Sequence, residues 1–324
     1  MKKIGVAVIG TGFWGKNHAR VYKELAETEL IAICDIDPQR AKAVAAQFGV
    51  KPYTSTAKML KNNDIEAVSV CTWSTALAKE ATKAVEAGRH VLVEKPMAAN
   101  VKQAEKLLKK AERERVHLTV GFLMRFIPGL QHIKRAVQER KIGELVCATG
   151  KRVSQWPERI GDVGVVKDTA IHDIDVMLYL FNEDPVGVYA KTGSMRHVRF
   201  EDYAQIMLTF KGGKSAFIES NWLTPYKTRI LVVTGSEAIM NLDYITQELT
   251  VENAGETLKP RYPMQEPLKL ELRHFANCVM KKDKPLITGL DGLKALRIAE
   301  SALKSSATGR IIKLEQLEPI SPAS

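Results

Sequence analysis

Lys95 stands in Glu94-Lys95-Pro96, directly after the short apolar run Val91–Val93. Parallel strands deliver ligand-binding residues from their C-terminal ends, so a lysine there is placed to face a bound cofactor. The same tripeptide also suits an ordinary surface loop, and spacing alone does not separate the two. A second group is Asp168, His172 and Asp175. On a helix over 168–181, at about 100° per residue, they fall at roughly 0°, 40° and 340°, on one narrow face. Ile171, Ile174, Leu178 and Phe181 form a core stripe, and Asp173 points elsewhere. An imidazole between two carboxylates can bind polyol hydroxyls and move a proton, because histidine titrates near neutral pH. A solvated helix face with two acids and a histidine would read the same. The Asp-x-x-x-His pair could begin a metal site, but no third ligand is evident and no metal is expected.

A cofactor is positioned against such groups by the opening stretch, Ile4 to Gly15. An apolar run meets a glycine triad at Gly10, Gly12 and Gly15, and a helical pattern follows at once. This is the strand, tight turn and helix of a dinucleotide site. Gly10 permits the turn, Gly12 lets backbone N–H groups approach a pyrophosphate, and Gly15 lets the helix sit close on the strand. Asp35 ends the second apolar run, Leu30–Cys34, where a carboxylate grips both ribose hydroxyls and repels a 2′-phosphate. NAD is therefore favoured over NADP.

Through the first 121 residues, strand-like runs alternate with helical ones. Asp37 and Pro38 read as an N-cap and first helical residue, and Gly88 as a helix stop. This predicts an α/β domain, 1–121, with a doubly wound parallel sheet. Beyond it, one helix over 168–181 interrupts several consecutive strands, with Gly212-Gly213 as a hairpin turn, and two helices close the chain. This predicts an α+β domain, 122–324, around an open, mostly antiparallel sheet.

The 324 residues carry 48 Lys plus Arg against 37 Asp plus Glu, a net charge of +11. Those charges are spread along helices, with no basic tail or recognition-helix signature, so solvated faces are favoured over a nucleic-acid groove. An anionic small substrate would also answer the positive field. No apolar run approaches membrane-spanning length, and Met1-Lys2-Lys3 leads straight into the first strand without a leader. The four cysteines have no C-x-x-C spacing. Together these predict a cytoplasmic enzyme with no membrane or nucleic-acid partner.

The glycine turn with His18, the Cys34-Asp35-Ile36-Asp37 strand end, the string Ala87 to Pro96, Gly121 to Phe126, and Asp168-x-x-x-His172-x-x-Asp175 occur in that order. Together they resemble the Gfo/Idh/MocA family of NAD(P)-dependent sugar and polyol oxidoreductases, over essentially the whole chain. The resemblance implies a nucleotide-binding Rossmann domain followed by a sheet domain that holds substrate and forms a homo-oligomer, a dimer or tetramer. It implies that Lys95 hydrogen-bonds the reacting oxygen, that His172 is the acid/base, and that Asp168 and Asp175 position substrate. The cofactor-binding set then comprises Gly10, Thr11, Gly12, Phe13, Trp14, Gly15, Asp35, Ile36, Arg40, Cys71, Thr72, Glu94, Lys95 and Arg125.

The stretch from Arg152 to Met177 resembles more narrowly the branch that oxidises C3 of UDP-N-acetylglucosamine to a ketone. In that reading Arg152 and Arg159 pair with a diphosphate, for which a guanidinium fork is suited; two exposed loop arginines are the alternative. Dehydrogenation of a free sugar or inositol, and a non-catalytic NAD-binding regulator on the same fold, are the alternative functions. The chain departs from the family at Thr72–Ala78, which lacks the usual proline and histidine, and at Met124, where a polar residue is usual. Trp156 stands in the substrate loop, either to stack on a ligand or to pack.

Overall fold

Short buried apolar runs alternate with helices through the first third of the chain, and this fixes the first sheet. The computed structural model describes residues 3–157 and 161–315. In chain order come β1 (Ile4–Ile9), α1 (Phe13–Glu24), β2 (Thr28–Cys34), α2 (Pro38–Phe48), β3 (Lys51–Tyr53) and α3 (Thr56–Met59). They are followed by β4 (Ala67–Val70), α4 (Ser74–Glu86), β5 (His90–Val93), α5 (Val101–Arg113) and β6 (Leu118–Val120). A 3-10 turn over Leu123–Phe126 leads to α6 (Pro128–Gln138) and β7 (Leu145–Val153). A π-helical turn, Val166–Ala170, runs into α7 (Ile171–Phe181). Then come β8 (Gly187–Gly193), β9 (Tyr203–Thr209), β10 (Ser215–Asn221), β11 (Thr228–Gly235), β12 (Ala238–Asp243), β13 (Leu249–Asn253) and β14 (Thr257–Leu258). The chain finishes with α8 (Pro267–Lys281), α9 (Gly289–Thr308) and β15 (Ile312–Lys313).

The chain forms two units. One is residues 3–122 together with Glu266–Leu293; the other is Leu123–Gln265 with residues 294–315. A single cut after residue 121 therefore omits a return of the chain to the first unit. The cause is apolar spacing on α8. Leu268, Leu272, Phe275, Ala276 and Val279 join Ile4, Val6, Val21 and Tyr22 in one buried cluster.

In the first unit six parallel strands run in the order β3-β2-β1-β4-β5-β6. Strand order reverses between β1 and β4, the position where such sheets open a ligand crevice at their C-terminal edge. Asp37 caps α2 as expected, accepting from the N–H groups of Gln39 and Arg40, with Pro38 in the first turn. The edge strand β3 was not foreseen, because three residues including Pro52 show no alternation.

The second unit holds a nine-stranded sheet in the order β14-β13-β12-β11-β7-β10-β9-β8-β15. It is antiparallel except at β10 and β7, which pair in parallel. Gly212 and Gly213, at φ +70° and +80°, make the β9–β10 hairpin turn. Helix α7 lies on one face of this sheet. A Cβ at Gly150 of β7 would stand 3.2 Å from Met177 and 3.3 Å from Asp173. On the opposite face Tyr189, Met207 and Phe217 pair in register across β8, β9 and β10, and all three are exposed.

Candidate active site

In the first unit Gly10 and Gly15 make a cradle that a Cβ at either position would block. Gly10 follows β1 at φ +85°, and a Cβ there would lie 2.7 Å from the carbonyl oxygen of Cys71, just past β4. A Cβ on Gly15 would lie 1.8 Å from the Gly10 carbonyl oxygen. The loops after β1 and β4 thus touch at the point where strand order reverses. Gly12 is the N-cap of α1, no side chain caps that end, and no acid stands in its first turn. Its positive N-terminus is therefore open to a pyrophosphate. Phe13 and Trp14 flank it, exposed and edge to face at 5.6 Å. The buried Cys71 contributes its backbone, and burial holds its thiol well above the usual range.

Asp35 is buried at the end of β2. Its Oδ2 accepts from Thr11 N and Oγ1 at 2.8 and 2.7 Å, its Oδ1 accepts from Asp37 N at 3.0 Å, and Arg40 lies 3.6 Å away. Burial opposes the charge, but these hydrogen bonds and Arg40 outweigh it and hold the carboxyl below its usual pKa. A carboxylate offers about four acceptor sites, so capacity for a ribose hydroxyl remains. Ile36, next in the chain, is 91% exposed, and Thr72 is half-buried beside the cradle. The Thr72–Ala78 departure places Trp73 at the N-cap of α4, exposed and without a side-chain cap.

Glu94 is not a surface residue. It ends β5 buried, and its Oε1 meets His18 Nε2 at 3.0 Å. His18 Nδ1 lies 3.0 Å from Ser69 Oγ, which lies 2.8 Å from the Tyr22 hydroxyl. The other carboxylate oxygen accepts from Lys95 N at 3.2 Å. Gly121 makes room for the group, since a Cβ there would crowd it at 3.0 Å. The expectation that Glu94 binds cofactor is thus replaced. The carboxylate faces inward and anchors the loop that carries the half-buried Lys95.

In the second unit the predicted helix face is rearranged. The π turn carries Asp168, and α7 carries half-buried His172. Such an insertion breaks the 100° progression between the two. Asp175 is fully buried, and its carboxylate takes two hydrogen bonds from Arg125, at 2.9 and 2.6 Å. Asp175, expected at the substrate, and Arg125, expected at the cofactor, are thus buried as a pair, each offsetting the other's charge. Arg152 likewise donates to Asp173 at 2.7 and 3.0 Å, with both buried. The residue read as pointing elsewhere holds the arginine read as a diphosphate ligand. Arg159 lies outside the described residues. Trp156 packs, with Arg196 over its ring at 4.7 Å and Trp222 edge to face at 6.3 Å.

Arg229 and Lys227 were not foreseen in this region. Arg229 shares strand parity with the buried Leu231 and Val233, so it points to the face under α7. A cation at an inward strand position was the available signal. Burial, then Arg152, pushes its pKa down to about 10, while Asp173 and Asp168 act the other way. Among the described residues no cluster of His, Cys, Asp and Glu could hold a metal ion. No described helix is long and apolar enough to cross a membrane.

The cradle and the strand order define a dinucleotide-binding fold. Residues 4–122 match the model of the oxidoreductase family with an NAD-binding Rossmann fold, and residues 130–241 match that of the GFO/IDH/MocA C-terminal domain. The chain belongs to the Gfo/Idh/MocA oxidoreductase family. It is 30% identical to the uncharacterised oxidoreductase YrbE of Bacillus subtilis, over 98% of this chain and 99% of that one. It is 28% identical to an inositol 2-dehydrogenase of Rhizobium meliloti, over 95% and 98%. It is 25% identical to the UDP-N-acetylglucosamine 3-dehydrogenase of Acidithiobacillus ferrooxidans, over 90% and 94%. A crystal structure of that last enzyme shares the fold, with a TM-score of 0.88 at 24% identity, covering 95% of this chain and 99% of the other.

Proposed function

We propose that this protein is an NAD-dependent dehydrogenase that oxidises a ring hydroxyl of a sugar to a ketone, with C3 of a UDP-N-acetylhexosamine as the substrate position. The observation that carries the reading is the dinucleotide cradle at Gly10 and Gly15, built where the strand order of the first unit reverses. Lys95 is held at the end of β5 by a buried carboxylate, and His172 follows Asp168 on the π–α7 junction. Bound NAD+ supplies the hydride acceptor. His172 takes the hydroxyl proton, Lys95 donates a hydrogen bond to the developing alkoxide, and Asp168 orients a neighbouring hydroxyl. Asp35 takes the adenosine ribose.

The resemblance from Arg152 to Met177 and the relative from Acidithiobacillus ferrooxidans support the nucleotide-sugar assignment. One observation favours a free sugar or inositol instead. Arg152, expected to meet a diphosphate, is spent on Asp173. The inositol dehydrogenase among the relatives agrees with that second reading. The test is steady-state NADH formation with NAD+ and a panel of UDP-sugars, monosaccharides and inositols. Turnover confined to UDP-N-acetylhexosamines supports the first reading; turnover confined to neutral polyols replaces it with the second. Cofactor binding without turnover of any sugar would leave a regulator.

The exposed register row Tyr189, Met207 and Phe217 supports a homo-oligomer in which a second copy covers this sheet face. Cytoplasmic residence accords with four free cysteines.

A further inference from the structure

We propose that Arg229, with Lys227 beside it, forms a binding site for an anionic group of the substrate. The proposal rests on the sugar dehydrogenase reading and assigns what Arg152 does not do. Arg229 and Arg152 are register partners on β11 and β7, which puts two guanidinium groups side by side under α7. Their surroundings differ. Arg152 is met by both oxygens of Asp173. Among the described residues, Arg229 makes no hydrogen bond with a carboxylate; Asp173 and Asp168 act on it only through space. Lys227 crowds it further, and the pKa of Lys227 is lowered first by Arg229, then by burial and by Arg152.

A half-buried cation with no ion-pair partner among the described residues, and with two more cations close by, is an arrangement that favours a bound counter-ion. An anion set against Arg229 and Lys227 relieves it. The guanidinium offers five N–H donors in a fork that fits two oxygens of a phosphate or carboxylate, and Lys227 adds a mobile ammonium. Asp168 lies near Arg229, four residues before His172, so the site belongs to the unit that carries the proposed acid/base. A substrate whose hydroxyl reaches His172 would thus bring its charged end to Arg229. The shared chemistry is an oxyanion. Its sources are the diphosphate of a nucleotide sugar or the carboxylate of a sugar acid.

Calorimetric titration of the NAD-loaded protein separates them, using UDP, UDP-N-acetylglucosamine, glucuronate and neutral N-acetylglucosamine. The variants are Arg229→Met, Arg229→Lys and Lys227→Met. Lys227 is exposed, so its variant keeps the test open if Arg229→Met folds poorly. The expected result is a loss of at least about tenfold in affinity for the anionic ligands in Arg229→Met, the scale of a charged hydrogen bond. A smaller loss is expected in Lys227→Met, with partial recovery in Arg229→Lys. Affinity for NAD and for N-acetylglucosamine should stay within about twofold of wild type. Loss for UDP alone identifies a diphosphate, and loss for glucuronate alone a carboxylate. Unchanged anion binding in both Arg229→Met and Lys227→Met, or equal loss for neutral and anionic ligands, overturns the site. A wild type that turns over UDP-sugars while both variants match it overturns the subsite only. A wild type that binds and turns over only neutral polyols overturns the subsite and the nucleotide-sugar reading together.

Discussion

Replacing Arg152 by methionine should destabilise the second unit rather than weaken a substrate contact. Both partners of the pair are almost fully buried, Arg152 at 3% and Asp173 at 1% exposed, and two hydrogen bonds join them. Arg152→Met leaves the Asp173 carboxylate uncompensated beneath α7, at a cost of about 3–5 kcal/mol. For a unit of this size about 1 kcal/mol moves the melting temperature by roughly 2–4 °C, so the expected drop is ~6–20 °C. Removing the stranded charge as well, in Arg152→Met/Asp173→Leu, should restore most of it, because a buried ion pair is often no more stable than a packed apolar pair. Calorimetric melts of the two single variants and the double variant measure this, beside KM for UDP-N-acetylglucosamine. A structural role for Arg152 is refuted if Arg152→Met melts within about 2 °C of wild type while KM rises steeply. That outcome would return Arg152 to the substrate.

Lys95→Met and His172→Ala should each lower kcat by about 10²–10⁴-fold, with the Kd for NAD within about twofold of wild type; full turnover in either removes that residue from catalysis. His90 should make the first unit acid-sensitive. Burial and the adjacent His117 lower its pKa to about 4, and its Nδ1 accepts from His117 N at 3.0 Å. The unfolded imidazole takes its proton near pH 6.5, so no penalty exists above that pH. The unfolded state is then favoured progressively as pH falls to about 4. Melts of wild type and His90→Asn at pH 7 and pH 5 check this, with a flatter pH dependence expected in the variant; parallel curves would contradict it. Finally, Phe217→Glu together with Met207→Lys should shift the sedimentation coefficient to that of a monomer, whereas an unchanged value would free the sheet face of any role in assembly.

Local chemistry was legible in the sequence, and distant pairing was not. The Ile4–Gly15 turn, the Asp37 cap and the Gly212-Gly213 hairpin depend on neighbouring residues, and the structure holds each of them as read. The core stripe of α7 was equally readable, since Ile171, Ile174, Leu178 and Phe181 are all buried. What the helical wheel could not show was what covers its other sides. Asp175 is claimed by Arg125, fifty positions away, and Asp173 by Arg152, twenty-one away. No periodicity marks such partners, and the π turn at Val166–Ala170 shifts the wheel itself. The return of α8 to the first unit was hidden for the same reason, because its apolar face does not name the surface it covers.

In the proposed reaction, hydride leaves a sugar carbon for the cofactor. UDP-N-acetylglucosamine carrying deuterium at C3, incubated with the protein and NAD+, tests it most directly by mass spectrometry of both products. The expected result is one deuterium in the reduced cofactor for each 3-keto sugar formed. Reduced cofactor without deuterium, or no reduction with this or any other sugar, would contradict it.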